Sequence, residues 1–360
     1  MPFGLHSLIL SQTDMAGSLI PAEFSLYAPS AEEVFLFGDM THWQGGKLAM
    51  QRDGDGVWRL KLQLRSGQWH YKFEVDGRRI PDPMNPLIAE DGMGMGECHS
   101  YVFLGQGEWD DKPKAPKGEL IDTLIPCAKL GGTLPGQLYL PPGTGDKDKL
   151  PLLTLIHGHQ MRANQWATNG RIRQFMDNLL AQGLIRPFAL FLPGGHAGHP
   201  MAKYGEALTQ TALPWLARQY PVSGEAALRA IGGMSISEYG PLAMALAHPR
   251  AFSLVVPMNE TFQDSVISTE LGKLPFRIHL FCTTEGCAPP QYRQLMERTR
   301  SLGLSLPFMR LDGVPTWRNW NEMTPELLVK VSDHFHQAGR KSRAAAESLA
   351  ATAATPRGKR

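Results

Sequence analysis

Three loops hold the residue types from which nucleophilic catalysis is built. In Ile231-Gly232-Gly233-Met234-Ser235-Ile236-Ser237-Glu238-Tyr239-Gly240 an apolar run passes into a helical pattern through Gly-x-Ser. A strand-to-helix turn that tight admits only small residues beside the serine. It lifts the hydroxyl above the sheet at a helix N-terminus, where free N–H groups stabilise an oxyanion. Ser235 is therefore the candidate nucleophile and the backbone N–H near Ile236 a candidate oxyanion donor. Ser237 is a small replacement for the usual last glycine. Glu238, read as the helix start, puts negative charge where an oxyanion would form. A serine hydroxyl attacks poorly unless a neighbour takes its proton. The imidazoles on offer are His157 and His159 in Leu155-Ile156-His157-Gly158-His159-Gln160, and His196 and His199 in Pro193-Gly194-Gly195-His196-Ala197-Gly198-His199-Pro200. Histidine spacings of two and three on loops, with no carboxylate completing the set, form no recognised metal site, so neither metal nor cofactor is expected.

The elements that would position these loops are short apolar runs: Leu152 to Ile156, Phe188 to Leu192, Ala230 to Gly233, Phe252 to Val256, Phe276 to Phe281 and Leu306 to Leu311. Helical patterns separate most of them, among them Tyr204 to Tyr220, Tyr239 to His248 and Gln291 to Leu302. Strands apolar on both faces and alternating with helices predict an α/β fold with a mostly parallel, doubly covered sheet. The crevice at the C-terminal strand ends is where such a sheet binds ligands. A last helix is predicted from Pro325 to about Gln337.

The first hundred residues follow a different period. Trp58 to Arg65 alternates apolar and polar residues, and so does Trp69 to Val75 after the Ser66-Gly67 turn; Asp76-Gly77 marks the next turn. Phe24 to Ala28, Val34 to Phe37 and Tyr101 to Leu104 add strands, which together predict a small β-sandwich. The alternation puts Trp58, Trp69 and Tyr71 inside.

The later half resembles the esterase D / enterochelin-esterase-like branch of the α/β-hydrolases over roughly residues 119 to 337. The resemblance rests on Gly136 to Gly143, Leu152 to Gln160, Ala230 to Phe252, Phe276 to Gly286 and Leu311 to Trp320. It implies a second oxyanion N–H from the His-Gly loop near His159. It also implies a triad acid where Gly286 stands and a histidine base where Pro315 stands. The neighbouring Glu285 is the candidate acid, and His159 or His196 the substitute base. An incomplete triad leaves two expectations: a serine carboxylic-ester hydrolase, or an inactive relative that binds a ligand, glycan or protein. Residues 20 to 105 resemble the glycogen-binding, early-set sandwich through Val34 to Trp43, Gly56 to Trp58, His70 to Gly77 and Asp82-Pro83. That resemblance implies glucan contacts at Trp43 and Lys72, with Arg79 where a second platform tryptophan usually sits. The alternative is a structural sandwich.

Composition sets the outer limits. The chain has 360 residues, 42% hydrophobic and 19% charged, which suits two ordinary domains. The expected order is an N-terminal extension (1–19), an early-set all-β sandwich (20–106), a polar linker (107–118), an α/β-hydrolase domain (119–338) and a disordered basic tail (339–360). The tail bears Arg340, Lys341, Arg343, Arg357, Lys359 and Arg360 against Glu347. No basic stripe elsewhere suggests nucleic acid. No apolar run reaches membrane-span length, and Leu8-Ile9-Leu10 lacks the flanks of a signal peptide, so a cytoplasmic location is expected. Four cysteines are too few for a disulfide framework. The partner expected is a small-molecule ester or a glycan.

Overall fold

The computed structural model describes residues 19–43, 46–90, 98–158, 163–194, 199–234, 240–260, 271–286, 290–303 and 306–354. They divide into two compact units, one reaching Ala89 and including Cys98–Gly107, the other comprising the described residues from Glu108 onward.

The first unit is a β-sandwich. Ile20–Tyr27, Val57–Leu64 and Gln51–Arg52 form one antiparallel sheet. Val34–Gly38, Gly67–Val75 and Cys98–Leu104 form the centre of a second, six-stranded one. The alternation read from sequence puts Phe24, Trp58, Trp69, Tyr71 and Phe73 in one shared core. Their polar ends are satisfied within the unit: Trp58 Nε1 donates to Ala28 O (3.0 Å) and Tyr71 O–H to Asp82 Oδ2 (2.7 Å).

The second unit is a nine-stranded sheet. Its long strands are β1 (Glu119–Cys127), β2 (Gly132–Leu140), β3 (Leu152–Ile156), β4 (Ala189–Pro193), β5 (Arg229–Met234), β6 (Leu254–Met258), β7 (Leu280–Thr283) and β8 (Phe308–Leu311). Their spatial order is β1-β2-β4-β3-β5-β6-β7-β8, with the short Arg277–Ile278 also on β6. β1 and β2 are antiparallel and the strands from β4 to β8 are parallel. The helices are α1 (Ile172–Ala181), α2 (201–219, wound as a π-helix over Ala207–Ala212), α3 (Pro241–Ala247), α4 (Pro290–Ser301) and α5 (Trp317–Ala354). Alternate residues of the central strands feed two cores. Leu152, Phe191, Ile231 and Val255 pack with α2, α3 and α4, while Leu153, Leu190, Ala230 and Val256 pack with α1 and α5. Burial on both faces is why these strands read as continuous apolar runs.

Several segments differ from their sequence-based description. The polar segment predicted as a linker is fastened to the second unit from Glu108 onward. Asn178 Nδ2 donates to Glu108 O and Asp110 O (2.8 and 2.9 Å), and Asp177 Oδ1 accepts from Gly118 N (2.9 Å) and Tyr139 O–H (2.6 Å). The last helix begins at Trp317 rather than Pro325 and continues through Gly339 to Ala354, where a disordered tail was expected. Its first turns are held by Trp320 N to Thr316 O (2.9 Å) and by buried side chains such as Asn321, whose Nδ2 donates to Asn169 O (2.9 Å). This tertiary anchoring carries the helix across a proline that favours a first turn. Its far end is alanine-rich, the best helix-forming composition. Helix α3 begins at Pro241 with Gly240 as its N-cap, and Glu238 lies outside the described residues. Cys98 and Cys127 are free thiols, whereas Cys282 is disulfide-bonded, which a reducing compartment does not anticipate.

Candidate active site

The elbow strand is built for close approach. Gly233 has φ +121°, and a Cβ there would overlap Ile156 O. Only glycine lets β5 lie against β3 in this register, which pairs Gly233 with Ile156. The segments carrying Ser235 and His159 therefore leave neighbouring strand ends. Ser235, Ile236, His159 and His196 themselves lie outside the described residues. His157 is buried, with Nδ1 3.1 Å from Gly158 O.

The loops after β7 and β8 are tied to each other. Glu285 N donates to Gly313 O (3.1 Å), Thr284 N to Leu311 O (2.8 Å) and Gly313 N to Thr284 Oγ1 (2.9 Å). Glu285 is exposed. Pro315 lies in the turn between β8 and α5 and offers no proton acceptor. That turn is closed by Thr316 N to Val314 O (3.0 Å) and Asn319 Nδ2 to Val314 O (2.8 Å).

A polar network missed in the sequence occupies the place of the expected acid. Asn259 follows β6 with left-handed φ 51° and is buried. Its Nδ2 donates to Thr283 Oγ1 (3.1 Å) and its Oδ1 accepts from Trp320 Nε1 (2.9 Å). A Cβ at Gly286 would overlap Asn259 Nδ2. The amide thus fills the space into which a side chain at position 286 would project. Next to it, Glu260 is 1% exposed and accepts from Leu242 N and Ala243 N of α3 (2.9 and 3.0 Å). Burial pushes its carboxyl up to about 7, against the lowering effect of those two N–H groups. The available signal was positional: Asn259-Glu260 is the first polar pair after the strand beside the elbow strand. No group of three or more His, Cys, Asp or Glu able to hold a metal ion occurs among the described residues.

In the first unit, Trp43 is half-buried with left-handed φ 61°. Its Nε1 donates to Asp39 Oδ1 (2.8 Å), and its ring meets Phe37 and His99 edge-on at 5.9 and 5.3 Å. Lys72 is only 4% exposed. Neither is presented as an open platform. Nearby, His99 Nε2 lies 2.7 Å from His70 Nδ1, both rings buried.

Comparison with known proteins agrees with this architecture. Residues 127–265 match the family described as "Putative esterase", and residues 16–88 match carbohydrate-binding module 48, the isoamylase N-terminal domain. An endo-1,4-beta-xylanase/feruloyl esterase of Xylanibacter ruminicola is 21% identical over 261 residues, 64% of this chain and 34% of that protein. A 1,4-alpha-glucan branching enzyme of Thermosynechococcus vestitus is 40% identical over 103 residues, 28% of this chain and 13% of that protein. The chain thus spans about a third of the first relative and far less of the second. The solved enterobactin esterase of Shigella flexneri superposes with TM-score 0.69 at 17% identity, covering 87% of this chain and 93% of that one, which establishes the shared fold. No helix among the described residues is long and apolar enough to cross a membrane. The chain therefore has an α/β-hydrolase fold preceded by an all-β sandwich, with similarity to the esterase family over residues 127–265 and to carbohydrate-binding module 48 over residues 16–88.

Proposed function

We propose that the chain is a serine carboxylic-ester hydrolase with Ser235 as nucleophile and backbone N–H groups near Ile236 and His159 as oxyanion donors. The observation that carries this reading is the Gly233–Ile156 contact, which brings the ends of β5 and β3 together with only glycine between them. A serine one residue after β5 and an N–H donor shortly after β3 then follow adjacent strand ends, the arrangement that acyl transfer needs. The base is His159 or His196. It is not His334, whose Nε2 lies 2.9 Å from Ser253 Oγ. Ser253 immediately precedes β6, whereas Ser235 follows the end of the parallel β5. Five strand residues, roughly 16 Å, separate those two edges of the sheet. Glu285 is the candidate acid, held near the β8 turn by its N–H.

Pro315 and the filled space beside Gly286 support a second reading, an inactive relative that binds its ligand without turnover. Losing a triad member leaves only about 10³–10⁴-fold acceleration over water. A fluorophosphonate probe separates the two readings. The esterase reading expects labelling of the folded protein, abolished in Ser235→Ala, together with hydrolysis of a feruloyl or p-nitrophenyl ester. Absence of labelling and of turnover on folded protein leaves the binding reading. The experiment uses the whole chain, because the segment from Glu108 is fastened to the second unit. The first unit is structural in this reading, because Trp43 and Lys72 are already committed within it.

A further inference from the structure

The first turn of α3 has no cap of its own. Gly240, its N-cap, has no side chain, and Pro241 has no N–H. The first free donors are Leu242 N and Ala243 N, and both are taken by Glu260, which comes from the end of β6 instead. The fit is close on both sides, since a Cβ at Gly240 would overlap Glu260 Oε1. The left-handed Asn259, itself fixed by Trp320 and Thr283, turns the chain so that Glu260 lies under α3. The helix start that follows the elbow strand in sequence is thus gripped by this carboxylate.

A buried carboxylate is an expensive way to cap a helix of seven residues. An N-cap serine or aspartate at position 240 would do it at the surface of the turn. What the expensive arrangement adds is a rigid link between α3 and the strand next to the elbow strand. We propose that Glu260 is a positioning residue: by bridging the end of β6 to the first turn of α3 it fixes the far end of the 235–239 segment, and with it the aim of the Ser235 hydroxyl. This rests on the esterase reading, and its chemistry is that of acyl transfer to Ser235, with Glu260 touching neither substrate nor the reacting atoms.

The test is the inactivation of Ser235 by a fluorophosphonate, resolved into kinact and Ki at pH 8 alongside the unfolding temperature. Glu260→Gln keeps the shape but opposes an amide N–H₂ to one helix N–H. Gly240→Ala leaves Glu260 intact and pushes a methyl against it. Both variants are expected to lower kinact about 10- to 100-fold, the scale of a small misplacement of a reacting group, with Ki unchanged. Glu260→Asp, which restores the charge one methylene short, is expected to recover part of the loss. Glu260→Gln is expected to lower the unfolding temperature only slightly at pH 8, because losing one acceptor is offset by removing a buried charge. Wild-type kinact in both variants, or a loss of labelling that only tracks the unfolded fraction, would overturn the proposal. Failure of the wild type to label at all sinks the esterase reading and this inference with it, so the two failures are told apart by the parent protein.

Discussion

Gly286 and Asn259 divide one space between them, and the consequence is testable by substitution. Restoring an acid with Gly286→Asp forces its Cβ into Asn259 Nδ2, which Thr283 and Trp320 hold in place. Overpacking of this kind costs about 1–3 kcal/mol. Gly286→Asp alone is therefore expected to lower the unfolding temperature without raising ester turnover, even combined with Pro315→His. Adding Asn259→Gly, which clears the space and accepts the left-handed φ but leaves Trp320 Nε1 without its acceptor, is expected to recover only part of the stability while permitting a gain in kcat/KM. A rise in turnover from Gly286→Asp and Pro315→His without the third change would show that Asn259 is no obstacle. At this scale the sequence was informative about absences. Pro315 and Gly286 drew notice only through a resemblance, whereas Asn259 and Glu260 belong to no motif and acquire meaning only from what they touch.

The central strands of the second unit were legible in the sequence because their surroundings are simple. Leu152–Ile156 has every residue buried, as an apolar run between turn signals implies. The last helix was misjudged because a local rule, proline at a helix start, competes with the bond from Asn319 to Val314 O just before the helix and the tertiary bond from Asn321 to Asn169 O, which no hydrophobic pattern announces. The antiparallel β1–β2 pair escaped for a related reason: its burial alternates, but buried Thr123 and exposed Leu124 reverse the polar pattern that would have announced it. Trp43 illustrates the same limit in the first unit. Its type and place suggest a sugar platform, yet its N–H is committed to Asp39, whose other oxygen accepts from His70 N (2.8 Å). Trp43→Ala is thus expected to act on the sandwich itself, costing about 3 kcal/mol through the lost contacts with Phe37 and His99. Retention on amylose should be the same for variant and parent. Retention by the parent that Trp43→Ala removes, at unchanged stability, would restore the glucan reading. The segment after Gly107 makes a parallel case: Asp177→Ala strands Gly118 N–H and Tyr139 O–H, a loss of about 2–4 kcal/mol visible in the unfolding temperature.

For the molecule as a whole, acid acts differently on the two units. Burial holds the His99 imidazole down to about 4, with Lys72 adding repulsion, and holds His70 well below its ordinary range, with His99 adding to it. Both groups bind protons more readily when unfolded, so the stability they contribute is complete above about pH 6.5 and is lost as pH falls toward 4. For His99 alone this amounts to about 3 kcal/mol. In the second unit Glu260 has the opposite sign. Its carboxyl is raised from 4.5 to about 7, so its favourable contribution is complete below 4.5 and is lost as pH rises to 7. His279, held down to about 4 by burial, offsets Glu260 between 4.5 and 6.5. The second unit is consequently near balance over the interval in which the first loses stability. Calorimetric unfolding at pH 7 and pH 4.5 is expected to show the sandwich transition moving to lower temperature while the α/β transition moves much less. His99→Phe should reduce the slope of the first transition with pH and leave the second untouched. Parallel shifts of both transitions, or an undiminished slope in His99→Phe, would mean that the buried imidazole pair does not govern the acid sensitivity of the sandwich.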